Sequence, residues 1–261
     1  MAQSAITAPP FTAPMEPVAR QFIQTGRAVI GHPISALVPP VISGLERLIA
    51  DPERDRWMLK IERPGESDED PDDGLVRKQN GTSTKKEDNK YFFHHRFTLA
   101  ANLAARGVDT SKHQDLLLAC DALHAECRAI SHEFAAAFDR VSPGYDLLDR
   151  LIDAEAMDLD PLRILSYDTG NEIGKAHTDK TAFTFHIAER RGGLRIGPER
   201  TPYMALPDRI LIFPGDKLGR LTGGKITPLI HDIVDTETAS STGRWSLIYF
   251  AHVLWSSVGG R

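Results

Sequence analysis

The apolar positions of this chain change period near its midpoint. In the first half they recur every three or four residues, as on helices packed by one face. The clearest stripe is Leu116, Cys120, Leu123, Cys127, Ile130, Phe134 and Phe138. It predicts a long helix that starts near Ser111, whose spacing to Gln114 suits a capping box. Pro39 and Pro40 open another predicted helix, with Val41, Ile42, Leu45, Leu48 and Ile49 on one side. Shorter helices are expected at 17–24, closed by Gly26, and at 145–153, with a strand at 27–30 and Asp51 capping a further turn.

The second half is built differently. Short apolar runs at 162–167, 183–187, 193–196, 203–206, 209–213, 226–234 and 245–253 are separated by Gly, Pro and Asp. Such a series of short strands predicts a jelly roll, a double-stranded β-helix core. The expected class is therefore α+β: a helical N-terminal region at 1–155 and a jelly-roll core at 156–261, together one compact unit. The first dozen residues, rich in Ala, Pro and Thr, read as a loose arm. The stretch 63–89 carries Glu66, Asp68, Glu69, Asp70, Asp72 and Asp73 with few apolar anchors, and reads as a mobile loop, a candidate lid.

Composition narrows the class of partner. With 31 Lys and Arg against 36 Asp and Glu, the net charge of −5 favours neither nucleic acid nor an anionic membrane. No uninterrupted apolar stretch is long enough for a membrane span, and the start MAQSAITAPPFTAP lacks the regions of a secretion signal. A cytoplasmic protein acting on a small molecule is expected, with its oligomeric state left open. Cys120 and Cys127 lie two helical turns apart on the long stripe, too far for a disulfide, and read as small core residues.

Ten histidines raise the question of metal chemistry. His177-Thr178-Asp179 is the informative pair, because residues i and i+2 of an extended segment share a side. A third ligand from another strand is needed, and His231 lies in the run 226–234. Two histidines and one carboxylate leave half of an octahedral metal open, the facial arrangement of non-haem iron(II) oxygenases. A closed tetrahedral zinc site has no such room. By contrast, His94 and His95 are adjacent on a strand and face opposite ways, and His124 and His132 are expected to be exposed.

The surrounding order of motifs is more specific than H-x-D alone. LRILSYD, HTDKTAFTFHIAERRGGLRI, PDRILIFPGDKLGRLTGGKITPLIHDIV and GRWSLIYFAHV follow one another between Leu162 and Val253. This stretch resembles the iron(II)- and 2-oxoglutarate-dependent dioxygenases of the isopenicillin N synthase-like type. The resemblance implies that His177, Asp179 and His231 bind Fe(II), and that Arg244 and Ser246 grip the distal carboxylate of 2-oxoglutarate. Tyr167 matches a tyrosine that bonds the same carboxylate, although Leu165 replaces the asparagine usual two residues earlier. Lys180 matches a position that borders the substrate, where a lysine would suit an acid or amino-acid-like compound. Asp232 stands where the family commonly has arginine and is expected to face outward, and His186 replaces an apolar cavity residue.

The activity so implied is oxygenation, usually hydroxylation, of a small metabolite with O2 and 2-oxoglutarate as co-substrates. Two readings compete with it: an oxidase of the same fold that does not use 2-oxoglutarate, and a non-catalytic jelly-roll module that binds a metal and a ligand.

Overall fold

The computed structural model describes residues 14–61, 72–78, 90–167, 174–234 and 243–254. Six helices occur among them: α1 (Met15–Thr25), α2 (Val38–Ala50), α3 (Leu99–Ala105), α4 (Gln114–Val141), α5 (Leu147–Ala156) and α6 (Asp216–Leu221). The strands are β1 (Ala28–Gly31), β2 (Met58–Lys60), β3 (Asp72–Lys78), β4 (Lys90–His95), β5 (Leu162–Tyr167) and β6 (Gly174–His177) in the first part. They continue with β7 (Phe183–Arg190), β8 (Leu194–Ile196), β9 (Thr201–Tyr203), β10 (Arg209–Pro214), β11 (His231–Ile233) and β12 (Trp245–Ala251).

These strands form two antiparallel sheets. The larger has the order β1-β10-β7-β12-β5-β4-β3-β2, the smaller β6-β11-β8-β9. Side-chain alternation splits the larger sheet between two jobs. Phe183, Phe185, Ile164, Leu247 and Tyr249 point to the face covered by helices, in one core with Phe22, Leu45, Phe134 and Phe138. Phe134 meets Phe183 edge-on at 5.3 Å between ring centroids. On the other face Leu211 and Phe213 pack with Leu194 and Ile196 of the smaller sheet. The α+β jelly roll expected from the chain is thus the observed fold.

The predicted helical stripe is wholly buried along α4. Its two thiols are free and buried, and desolvation raises both well above the ordinary thiol range. Gly26, at φ 70°, terminates α1 as its position implied.

Four expectations need correction. Ser111 does not cap α4 through its side chain: it opens a 3-10 turn, and its own amide donates to Asp109 Oδ1 at 2.9 Å. The run 226–234 yields only the short β11, because Pro228 offers no amide to a ladder. His124 is buried, with Nε2 donating to the Asp160 carbonyl at 2.7 Å.

The fourth concerns the stretch 63–89, which is not all loop. Residues 72–78 form β3 between β2 and β4, while residues 62–71 and 79–89, with Glu66, Asp68, Glu69 and Asp70, lie outside the described residues. Asp73, grouped with that acidic run, is fully buried and ion-pairs with the equally buried Arg96. The neighbouring Gly74 is required by both space and conformation. Its φ is +72°, and a Cβ there would lie 1.9 Å from the Trp57 carbonyl oxygen.

Removing one partner of a buried ion pair leaves an uncompensated charge, typically at a cost of about 3–5 kcal/mol. Asp73→Ala should therefore lower the unfolding free energy by about that amount, read from the midpoint of urea denaturation.

Candidate active site

His177 closes β6, His231 opens β11, and the two are directly paired across the smaller sheet. Their rings lie 4.4 Å apart. Asp179 sits just beyond β6, outside any strand, so no ladder bond fixes it. Asp179 Oδ1 lies 3.6 Å from His177 Nε2 and 3.8 Å from His231 Nε2. One ligand atom of each residue falls within 4.8 Å of the others, the only such group of metal-ligating side chains found among the described residues.

Backbone carbonyls set the imidazole tautomers. His177 Nδ1 faces Lys175 O at 2.7 Å and His231 Nδ1 faces Leu229 O at 3.2 Å. A carbonyl only accepts, so each Nδ1 carries the proton and each Nε2 turns a lone pair toward Asp179. Burial and the neighbouring His177 push His231 toward the neutral form, against the pull of Asp179.

Asp179 is fixed at both ends. Its carbonyl accepts the Asp216 amide at 2.7 Å, and its Oδ2 accepts the Thr184 hydroxyl at 2.7 Å. The hydroxyl engages one carboxylate oxygen and leaves Oδ1 toward the histidines. Gly215 permits this closeness: a Cβ there would come within 2.4 Å of the Thr181 carbonyl and 2.7 Å of the Asp179 carbonyl.

The three side chains line a cavity of about 220 Å³ between the two sheets. Tyr167, Leu165 and Ser246 line it from the larger sheet, as do Thr184 and His186. Arg244 lies beside it, fully buried, its guanidinium 5.2 Å from the Tyr167 ring centroid. Arg244 Nε donates to Gly192 O at 2.6 Å and Nη2 donates to Glu189 Oε2 at 3.0 Å. Nη1 has no hydrogen-bond partner among the described residues. A wider cleft of about 480 Å³, between 34–46 and 187–190, is mostly apolar and touches none of His177, Asp179 and His231.

Glu189 was not singled out from the sequence. Burial would raise its carboxyl pKa, but the nearby His186, the Ala205 amide and Arg244 outweigh it and lower it from 4.5 to about 2. His186 itself is buried in the cavity wall, 3.7 Å from Glu189 and too distant for a hydrogen bond. Thr184, Arg163, Lys90, Phe92, Ile248 and Phe250 also line the cavity and were missed. Alternation along β5 carried the signal for Arg163, which lies two and four residues from Leu165 and Tyr167 and shares their face.

Two sequence expectations fare differently. Asp232 does face away from the ligands, yet it is buried rather than solvated, clamped by Arg195 at 2.9 and 2.7 Å. Lys180 is exposed and does not line the cavity.

The comparisons with known proteins agree with this geometry. Residues 160–253 match the sequence model of the 2OG-Fe(II) oxygenase superfamily. No curated protein matches the chain at the sequence level. Among solved structures it resembles Neurospora crassa T7H in complex with alpha-KG, with a TM-score of 0.66, 16% identity, and 92% of this chain and 79% of that one covered. It also resembles the dioxygenase for auxin oxidation 1 of Arabidopsis thaliana in its 2-oxoglutarate complex, at TM-score 0.65, 14% identity, and coverage of 93% and 90%. At these identities the structural likeness establishes the fold. The matched stretch carries His177, Asp179 and His231 and is similar to the 2OG-Fe(II) oxygenases, oxidoreductases that use iron(II) and 2-oxoglutarate.

A carboxyl lowered on folding stabilises the fold above its unfolded pKa, and that contribution is lost as pH falls through the folded value. For Glu189 the window runs from pH 4.5 down to about 2. Glu189→Gln should be less stable at neutral pH, yet lose about 1–3 kcal/mol less than wild type across that window. Urea midpoints at several acidic pH values would check it.

Proposed function

We propose that the protein is an iron(II)- and 2-oxoglutarate-dependent hydroxylase of a small metabolite, with His177, Asp179 and His231 as the metal ligands. The observation that carries this reading is the convergence of two imidazole Nε2 atoms on one carboxylate oxygen at the wall of a cavity. Two neutral nitrogen donors and one carboxylate suit iron(II) and leave positions for other ligands.

Each side chain then has a task. The Lys175 and Leu229 carbonyls hold the imidazoles with their lone pairs toward the metal position. Thr184 occupies Asp179 Oδ2, so the carboxylate offers one oxygen. Arg244 Nη1, the Ser246 hydroxyl and the Tyr167 phenol are assigned to the distal carboxylate of 2-oxoglutarate. A buried guanidinium N–H with no partner suits an incoming carboxylate oxygen. Glu189 and Gly192 hold the other guanidinium nitrogens, so the group is oriented before the ligand arrives. Leu165, Phe213 and Ile248 give the cavity an apolar wall that limits water. When bound together, iron(II), 2-oxoglutarate and dioxygen supply the oxidising power for C–H hydroxylation.

The similar solved structures support a small-molecule substrate: one T7H structure is a complex with alpha-KG and thymine, and another is a dioxygenase for auxin oxidation.

Anaerobic addition of iron(II) and 2-oxoglutarate should produce a weak visible charge-transfer band, and turnover should release succinate. A folded protein without that band would overturn the reading, and Asp179→Ala should abolish the band. Thr184→Val should weaken iron(II) binding about 10- to 100-fold, measured by metal titration. Arg244→Gln should raise the half-saturating 2-oxoglutarate concentration about 10- to 100-fold while iron binding is kept, the size expected for a lost charged hydrogen bond.

A further inference from the structure

Two buried nitrogens beside the cavity have no hydrogen-bond partner among the described residues, and they belong to groups that flank one carboxylate. Arg244 Nη1 is the first. The second is Nε2 of His186, whose side chain lines the cavity and is almost wholly buried. The carboxylate is that of Glu189, and both of its oxygens are taken. Oε1 accepts the Ala205 amide at 3.1 Å and Oε2 accepts Arg244 Nη2 at 3.0 Å, which leaves His186 Nε2 3.7 Å from Oε2. A carboxylate only accepts, so the imidazole turns an N–H toward it rather than a lone pair. That N–H is a buried donor without a bond, a costly state that an incoming acceptor relieves.

Strand register explains why His186 and Glu189 meet. Residues three apart on a regular strand face opposite ways. β7 pairs with β12 through Glu189 and Ser246, Ala188 and Leu247, and then His186 and Ile248, so Ile187 is an extra residue. This β-bulge returns His186 to the face of Glu189 and Ser246. Along β7, His186 therefore stands between two tethers: Thr184, which bonds Asp179, and Glu189, which bonds Arg244. A ligand that runs from the metal position to Arg244 passes over it. The chain also departs from the family pattern twice in this region. Leu165, across β12 in the row of Ser246 and Glu189, removes a polar group, and His186 adds one.

We propose that His186 is a further binding residue for the co-substrate, its Nε2–H donating to the distal carboxylate of 2-oxoglutarate beside Arg244 Nη1. This rests on the hydroxylase reading and adds a residue to that site. Both groups approach Glu189 Oε2, which sets them near enough for the two oxygens of one carboxylate to bridge them. The incoming carboxylate thereby satisfies two orphaned donors at once, and Glu189 keeps its own bonds to Arg244 and Ala205.

The test compares 2-oxoglutarate with 2-oxopentanoate, which has the same chain with a methyl group in place of the distal carboxylate. Binding to the iron(II)-loaded protein is read anaerobically from the charge-transfer band. His186→Leu, close in volume and without a donor, should raise the half-saturating 2-oxoglutarate concentration about tenfold, as for a lost hydrogen bond to a charged group. Its binding of 2-oxopentanoate, and its iron(II) affinity by metal titration, should match wild type. His186→Gln, which keeps an N–H donor, should bind 2-oxoglutarate more tightly than His186→Leu. Unchanged 2-oxoglutarate binding in His186→Leu would overturn the proposal. So would an equal loss for both oxo acids, which would make the histidine a packing residue, or a glutamine variant weaker than the leucine one. Absence of the band in wild type would instead overturn the hydroxylase reading beneath it.

Discussion

The site depends on how Asp179 is held. This residue lies outside the strands, so no ladder fixes it, yet its oxygen must meet two imidazoles from β6 and β11. Its backbone carbonyl is tied to the amide that starts α6, and its carboxylate to Thr184 on β7. The second tie crosses from the smaller sheet's connection to the larger sheet. One hydroxyl therefore couples the separation of the two sheets to the orientation of the Asp179 oxygen that faces the histidines. The close backbone approach at Gly215 is what makes the first tie possible.

The division of the larger sheet follows from the same constraint. One face is filled by helix α4 and its neighbours, which gives the strands a rigid backing. The other face is then available to carry polar groups at alternate positions. Buried polarity there is offset locally: Arg244 with Glu189 and Gly192, and Thr184 with Asp179. These pairs preorganise the cavity before any ligand enters. The arrangement also separates two basic regions along the sheet, Arg244 beside Ser246 and Tyr167, and Arg163 further along β5.

Much of this was legible in the chain. The helical period, the change to short strands and the order of motifs pointed to an α+β jelly roll with an H-x-D and a distal histidine. The helical and strand periods are local, set by the side-chain period of each element, whereas the distal histidine and the order of motifs are read along the chain from Leu162 to Val253. Among the strands that escaped notice, β3 and β6 lack apolar alternation. Residues 174–177 are half to fully exposed, and residues 72–73 open β3 with two aspartates. Asp73 reads as a surface acid until Arg96, 23 residues later, is placed against it.

The sequence by itself determined which groups are present and on which face of its own strand each one lies, because alternation is a property of the local backbone. Arg163, Leu165 and Tyr167 share a face wherever β5 is placed. Only the tertiary structure decided which sheet that face looks upon, that Thr184 reaches Asp179, and that Glu189 takes one side of the Arg244 guanidinium. Those contacts join residues on different strands or loops, and their distances depend on strand register and sheet packing. The three candidate metal ligands with which the chemistry began show both parts. His177, Asp179 and His231 could be named from the chain, but the pairing of the two histidines across the smaller sheet and the convergence of Asp179 on them belong to the fold.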